Sequence, residues 1–284
     1  MSTRSLFLSF FLRLYCSVFM CPVSELSVRV PWGEIRGKVW GPDHGRPVLC
    51  LHGWADNCGT FKTLIPLLPK DCRYVAVDLA GHGLSSHRPP GVFYSFPAYV
   101  ADVRRIVDGL QWTKFSIIGH SMGESHTFSS LYPDMVEAVI LLDAFGFLPT
   151  DPVLNLGMEE MLQYEKKTEE KKRVYTFEKA AERLLAANPT LSEESVHILL
   201  ERGLVQVDGG FVFSRDLHFN FILIIHLSLS LSLSLSLSLS LSLSQHMVVT
   251  VPGDHHVHLN NPEVVAPLVS DFLQTKVISH QLPA

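Results

Sequence analysis

Short apolar runs and amphipathic stretches take turns along most of the chain. Leu26–Val30 and Glu34–Trp40 alternate apolar and polar residues on either side of Pro31-Trp32-Gly33, which predicts an antiparallel hairpin. Four continuous apolar runs follow, at Pro47–Leu51, Tyr74–Leu79, Lys114–Ile118 and Ala138–Asp143. Runs of this kind suit strands buried on both faces. Between the last two runs and the first two, Pro97–Leu110 carries Val100, Val103, Ile106, Val107 and Leu110 at helical spacing. Strands alternating with helices predict an α/β fold, a mostly parallel sheet covered by helices on both faces.

The pattern changes after Asp143. Residues 148–216 are charged and helix-rich, with Glu159–Arg173 as a solvated stretch. Thr190-Leu191-Ser192-Glu193 has the form of a capping box ahead of Val196–Leu200. Val207-Asp208-Gly209-Gly210-Phe211 signals a hairpin turn. The segment is expected to be a helical lid. From Leu227 to Ser244 the chain is nine Leu-Ser dipeptides in succession. Period-2 alternation would make an all-Leu strand face, but eighteen residues far exceed an ordinary strand. A CT dinucleotide repeat read in triplets encodes Leu-Ser, so the tract has the form of translated microsatellite from a retained intron or a gene-model artefact. Together with the out-of-keeping Leu217–His226 it reads as a low-complexity insert that disrupts a late strand. The earlier grammar then resumes, with a short strand expected at Met247–Val251, a turn at Pro252–His255 and a closing amphipathic helix at Pro262–Leu273. The chain thus divides into an N-terminal extension (1–23), a first part of the core (24–147), the lid (148–216), the insert (217–244) and a C-terminal part of the core (245–284).

At 284 residues and 47% hydrophobic content, the chain can bury one large core. The net charge of −5, with no long basic run, gives no nucleic-acid footprint; a small-molecule partner is expected. The five cysteines, Cys16, Cys21, Cys50, Cys58 and Cys72, contain no C-x-x-C pair and are odd in number. They indicate neither zinc site nor disulfide framework, and suit a reducing compartment. Residues 6–21 resemble the h-region of a signal peptide, but Arg13 interrupts them and they are short for a membrane span. Secretion is therefore the less favoured reading, and membrane association has no firm support.

Chemistry concentrates at Gly119-His120-Ser121-Met122-Gly123. A G-x-S-x-G motif is informative only in a strand–turn–helix setting. Here the apolar FSII feeds Gly119, and a helix-capable segment follows Ser121. The tight turn needs small residues two before and two after the serine, which Gly119 and Gly123 supply. Such an elbow lifts Ser121 above the sheet as a nucleophile. An oxyanion hole would draw one N–H from Met122 and a second from Trp54, in His52-Gly53-Trp54 at an early strand end. The base is expected late, in Gly253-Asp254-His255-His256-Val257-His258. His255 fits best, with His256 and His258 as alternatives. The histidine cluster invites a metal, but adjacent His255 and His256 cannot easily share one ion and no pattern completes a site, so no metal and no cofactor is assigned. The acid is the open position. Asp143 closes the strand VILLD; Asp216 and Asp254 lack a strand-end setting. Asp143 is taken as the candidate acid, against the alternative that it bonds nearby backbone. Asp78 is read as structural.

The segments VPWGEIRGKVWG, PVLCLHGWADN, FKTLIPLLP, YVAVDLAGHGLSSH, FSIIGHSMG, MVEAVILLD, LSEES and VPGDHHVHLNNPE together resemble the serine hydrolase-like protein family of vertebrates, within the α/β-hydrolase superfamily. The resemblance covers residues 24–216 and 247–274. It implies the α/β-hydrolase fold, a hydrolase acting through Ser121 and His255, and an intracellular, cytoplasmic protein, with vesicle or peroxisome association as a variant. It also implies a further stretch, holding a late strand and the expected acid, where this chain has Leu217–Ser244. Residues 1–23 are unlike a family N-terminus, and Glu124 stands where a small residue is common. Two functions follow: a serine hydrolase of carboxylic-ester or related acyl substrates, or a catalytically impaired hydrolase-like protein that lost its acid with the late strand.

Overall fold

The computed structural model of the protein describes residues 23–122, 125–144, 173–216 and 247–279. The N-terminal extension up to residue 22, Gly123 and Glu124, most of the solvated stretch 159–172, and the Leu-Ser insert lie outside the described residues.

Six strands form one sheet: β1 Val23–Val30, β2 Gly33–Trp40, β3 Arg46–Leu51, β4 Cys72–Val77, β5 Phe115–His120 and β6 Val136–Leu142, in the order β1-β2-β4-β3-β5-β6. The first two make the antiparallel hairpin expected around Pro31-Trp32-Gly33, with Val30 opposite Gly33. β2 joins β4 antiparallel, and β4, β3, β5 and β6 run parallel. The parallel strands are the continuous apolar runs, because they are covered on both faces. On β3, Val48, Leu49, Cys50 and Leu51 are all fully buried. Alternate residues of that strand point to opposite cores. Leu49 and Leu51 pack with Tyr99, Val103, Ile106 and Val107 of helix α1 (Phe96–Gly109). Val48 and Cys50 pack in the opposite cluster, with Val265, Ala266, Val269 and Leu273 of the closing helix Pro262–Leu273. Each of the Val, Leu and Ile side chains contributes roughly 1.5–3 kcal/mol on full burial.

Helix α2 (Ser125–Leu131) follows β5. Residues 173–216 form helices α3 (Phe177–Ala187) and α4 (Glu193–Gly203) and the hairpin β7 (Leu204–Val207) and β8 (Gly210–Phe213) around the expected Asp208-Gly209 turn. The cap of α4 differs from the Thr190 expectation. Ser192 is the N-cap and its hydroxyl accepts from the Ser195 N–H. Leu191 and Val196 share one buried cluster, so an apolar pair across the first turn staples the helix start one step before Glu193. This unit is fastened to the sheet by Arg202, which donates to the buried Asp78 (2.9 Å) and to Glu25 (2.8 Å). Asn57 adds a bond to the Leu199 carbonyl at 2.8 Å.

Residues 247–251 do not form the strand expected there. Among the described residues the sheet ends on β6. Met247 and Val248 stand exposed at 69% and 88%, and among the described residues no strand pairs with the run. The chain then turns through Pro252–His256 into the short helix α5 (Val257–Asn260) and the closing helix α6 (Pro262–Leu273), which begins and ends where its periodicity predicts. Among the described residues no helix is long and apolar enough to cross a membrane.

Candidate active site

β5 ends at His120, and Ser121 follows with φ +52°. A non-glycine residue in the left-handed region is strained by roughly 1–2 kcal/mol. Two ties hold it there. The Ser121 N–H donates to the Leu142 carbonyl at 3.0 Å, extending the β5–β6 ladder by one rung. The loop after β3 presses on the other side: a Cβ at Gly53 would lie 2.9 Å from Ser121 Cβ and 3.1 Å from His120 Nδ1. Only glycine permits that approach. Ala55 (φ +60°) and Asp143 (φ +47°) are also left-handed. Three of the four non-glycine residues with positive φ among the described ones thus gather at the ends of β3, β5 and β6, the clustering expected of a site whose strain is held by its surroundings.

The three candidate acids separate clearly. Asp143, directly after β6, accepts from His255 Nδ1 at 2.5 Å. Asp254 turns back on its own loop, accepting from the His256 N–H at 2.7 Å and the Asn260 amide at 2.9 Å. Asp216 is buried and accepts from the Tyr94 hydroxyl at 2.8 Å. Asp78 accepts from the Cys58 N–H, the Leu84 N–H and Arg202, and serves the turn it closes. Of the three histidines, His255 meets Asp143. A carboxylate accepts only, so the proton of the neutral ring sits on Nδ1 and leaves Nε2 with a free lone pair.

The histidine loop is docked against the elbow. His120 Nε2 donates to the His255 carbonyl at 2.8 Å. His258 is fully buried, with Nε2 2.8 Å from Thr60 Oγ1, and Thr63 Oγ1 donates to the carbonyls of His258 and Leu259. His52 fixes the loop after β3: its Nε2 accepts from the Leu79 N–H, so Nδ1 donates to the Gly53 carbonyl at 2.7 Å. Burial lowers the pKa of His52 and holds that of His120 well below the usual imidazole range. Burial likewise brings His256 down to about 4 and His258 to about 3, and pushes Asp56 up to about 7. The buried rings therefore stay neutral near pH 7.

The chain as a whole has relatives among known proteins. The family model described as the alpha/beta hydrolase fold matches residues 46–200. A serine hydrolase-like protein of Danio rerio is 52% identical, over 88% of this chain and 88% of its own. The chain belongs to the serine hydrolase-like family of α/β hydrolases. Serine hydrolase-like protein 2 of Homo sapiens is 39% identical over 92% of this chain and 96% of its own. Among solved structures, a hypothetical protein of Pseudomonas aeruginosa PAO1 superposes with a TM-score of 0.70 at 28% identity, covering 87% of this chain and 96% of that one.

This α/β hydrolase brings Ser121, His255, Asp143 and the Gly53-Trp54 loop to one end of its sheet. Met122 follows Ser121 in the same turn, half-buried. Gly119 closes β5 opposite Leu51 and Leu141, and Gly123 lies outside the described residues. Sequence reasoning passed over Asp56, Thr60 and His120. Asp56 stands two residues past Trp54 and His120 one before Ser121; their position inside the motifs was the available signal, but their relation to the histidine loop is made only by the fold.

Proposed function

We propose that this hydrolase cleaves an ester or related acyl bond, with Ser121 as nucleophile, His255 as base and Asp143 as the acid that orients it. The observation that carries the reading is the 2.5 Å contact between His255 Nδ1 and Asp143 Oδ2 at the sheet end where Ser121 is strained. In the reaction, Ser121 Oγ forms a bond to the acyl carbon while its proton passes to His255 Nε2. Asp143 stabilises the imidazolium without taking its proton. The Met122 and Trp54 N–H groups bind the developing oxyanion. Collapse of the tetrahedral species breaks the bond to the leaving group, which takes the proton from His255. Water, deprotonated by the same nitrogen, then releases the acid and restores Ser121. The Asp143 contact also argues against the impaired reading, which supposes that the acid disappears with the late strand.

A fluorophosphonate probe tests this directly. The full chain is expected to be labelled, and Ser121→Ala, of unchanged circular dichroism, is not. Folded wild-type protein that resists the probe would overturn the proposal.

A further inference from the structure

Behind the elbow lies a second set of side chains that acyl transfer does not use. Asp56, His120 and His256 are buried, with side chains 3%, 1% and 10% exposed. His120 Nδ1 and His256 Nε2 each stand 3.8 Å from Asp56 Oδ2, and the three atoms lie within 4.8 Å of one another. Asp56 Oδ1 is occupied by the Asn57 N–H at 2.9 Å. Among the described residues Asp56 Oδ2 and His120 Nδ1 are buried without a hydrogen bond of ordinary length, although the Thr60 hydroxyl lies near enough to favour the Asp56 carboxylate.

The tautomer makes this arrangement unusual. A carbonyl can only accept, so His120 Nε2 must carry the proton it gives to the His255 carbonyl. In the neutral ring Nδ1 is then a bare lone pair, and it faces a carboxylate oxygen. At 3.8 Å the two are too far apart for a hydrogen bond whether or not the carboxyl carries a proton, so both atoms stay unsatisfied. A positive centre between them removes both defects. With metal–ligand bonds of about 2.1 Å, donors 3.8 Å apart subtend roughly 130° at the ion, an opened tetrahedral angle. A tetrahedral ion at that bond length needs its donors about 3.4 Å apart, so the side chains must close around it by roughly 0.5–1.5 Å.

We propose that Asp56 Oδ2, His120 Nδ1 and His256 Nε2 bind a divalent transition-metal ion of the zinc type. Two imidazoles and one carboxylate suit zinc, whereas magnesium and calcium need oxygen cages that this site lacks. His120 already has the outer partner a metal-bound histidine requires, a carbonyl on its far nitrogen. The ion would tie together the loop after β3, the end of β5 and the histidine loop. The motif window His255–His258 alone predicted no metal, because two of these ligands come from elsewhere in the chain. Zinc binding does not depend on the acyl-transfer reading.

The test is a calorimetric titration of the EDTA-stripped, dialysed full chain with zinc chloride, and separately with magnesium chloride. One equivalent of zinc is expected to bind with a micromolar or tighter Kd, with no heat from magnesium. Asp56→Asn and His256→Gln should each weaken zinc at least about tenfold. Wild-type protein that takes up no zinc in the micromolar range overturns the proposal and leaves a buried water as the occupant. Variants that bind as tightly as wild type overturn it too, since surface groups then hold the ion. Should Asp56→Asn fail to fold, cobalt(II) in the wild type decides: an intense four-coordinate visible spectrum is expected, and a weak six-coordinate one refutes the site.

Discussion

Replacing Asp143 by asparagine exchanges one carboxylate oxygen for an NH2 group and leaves the volume almost unchanged. Its carboxylate now holds the Nδ1 proton of His255 at 2.5 Å. An asparagine amide can offer its NH2 to Nδ1 instead, which stabilises the tautomer with the proton on Nε2. That tautomer cannot accept from Ser121. In a fully buried serine triad the error lowers kcat by about 10⁴, or roughly 5.4 kcal/mol at 1.36 per decade. Here both partners are nearly half exposed, at 46% and 44%. Water can rescue part of the loss, so the expected fall is about 10²–10⁴ in kcat, with KM close to wild type because the effect lies in the transition state. Hydrolysis of a p-nitrophenyl ester, with circular dichroism as the folding control, measures both constants. A variant within threefold of wild type would show that Asp143 merely caps its strand and that another group orients His255.

The remaining outcomes concern how the site is held. Gly53→Ala puts a methyl 2.9 Å from Ser121 Cβ and should cost about 1–3 kcal/mol in urea unfolding together with most turnover, whereas unchanged activity would mean that the loop after β3 yields freely. Ser121→Gly and Ser121→Ala should both be inactive, but the glycine variant should melt higher: it relieves roughly 1–2 kcal/mol of left-handed strain against about 0.5–1 of added chain entropy. Equal melting temperatures would refute the strain. Arg202→Met leaves Asp78 buried without its cation and should destabilise by about 3–5 kcal/mol in chemical denaturation; a loss below 1 kcal/mol would mean that the Cys58 and Leu84 N–H groups alone satisfy that carboxylate.

What could be read from the sequence was local in origin. The runs of β3 and β5 reveal themselves because both faces of those strands are buried, and Pro262–Leu273 because its apolar stripe has helical period. The elbow is a five-residue pattern whose strain is set by its own turn. The acid was harder. Asp143, Asp216 and Asp254 are equivalent as letters, and the choice depends on a contact between residues 112 positions apart. Thr190 and Ser192 could each cap α4, and burial of Leu191 with Val196 decided for Ser192. Met247–Val251 has a strand's composition, but composition does not say what pairs with it, and among the described residues nothing does. Asp56 and His120 acquire chemical meaning only where the loop after β3 crosses the end of β5.

Because Asp143 follows β6 directly and its partner lies beyond residue 253, the chain between them supplies no member of the proposed triad. Closing a longer connection there costs only about 0.6 kcal/mol per doubling of its length, so long as it stays flexible. On that reading, insertion, deletion or splicing in that interval removes no reacting side chain. Under the proposed triad, the shape of the entrance and the identity of the reacting groups are written in different stretches of chain.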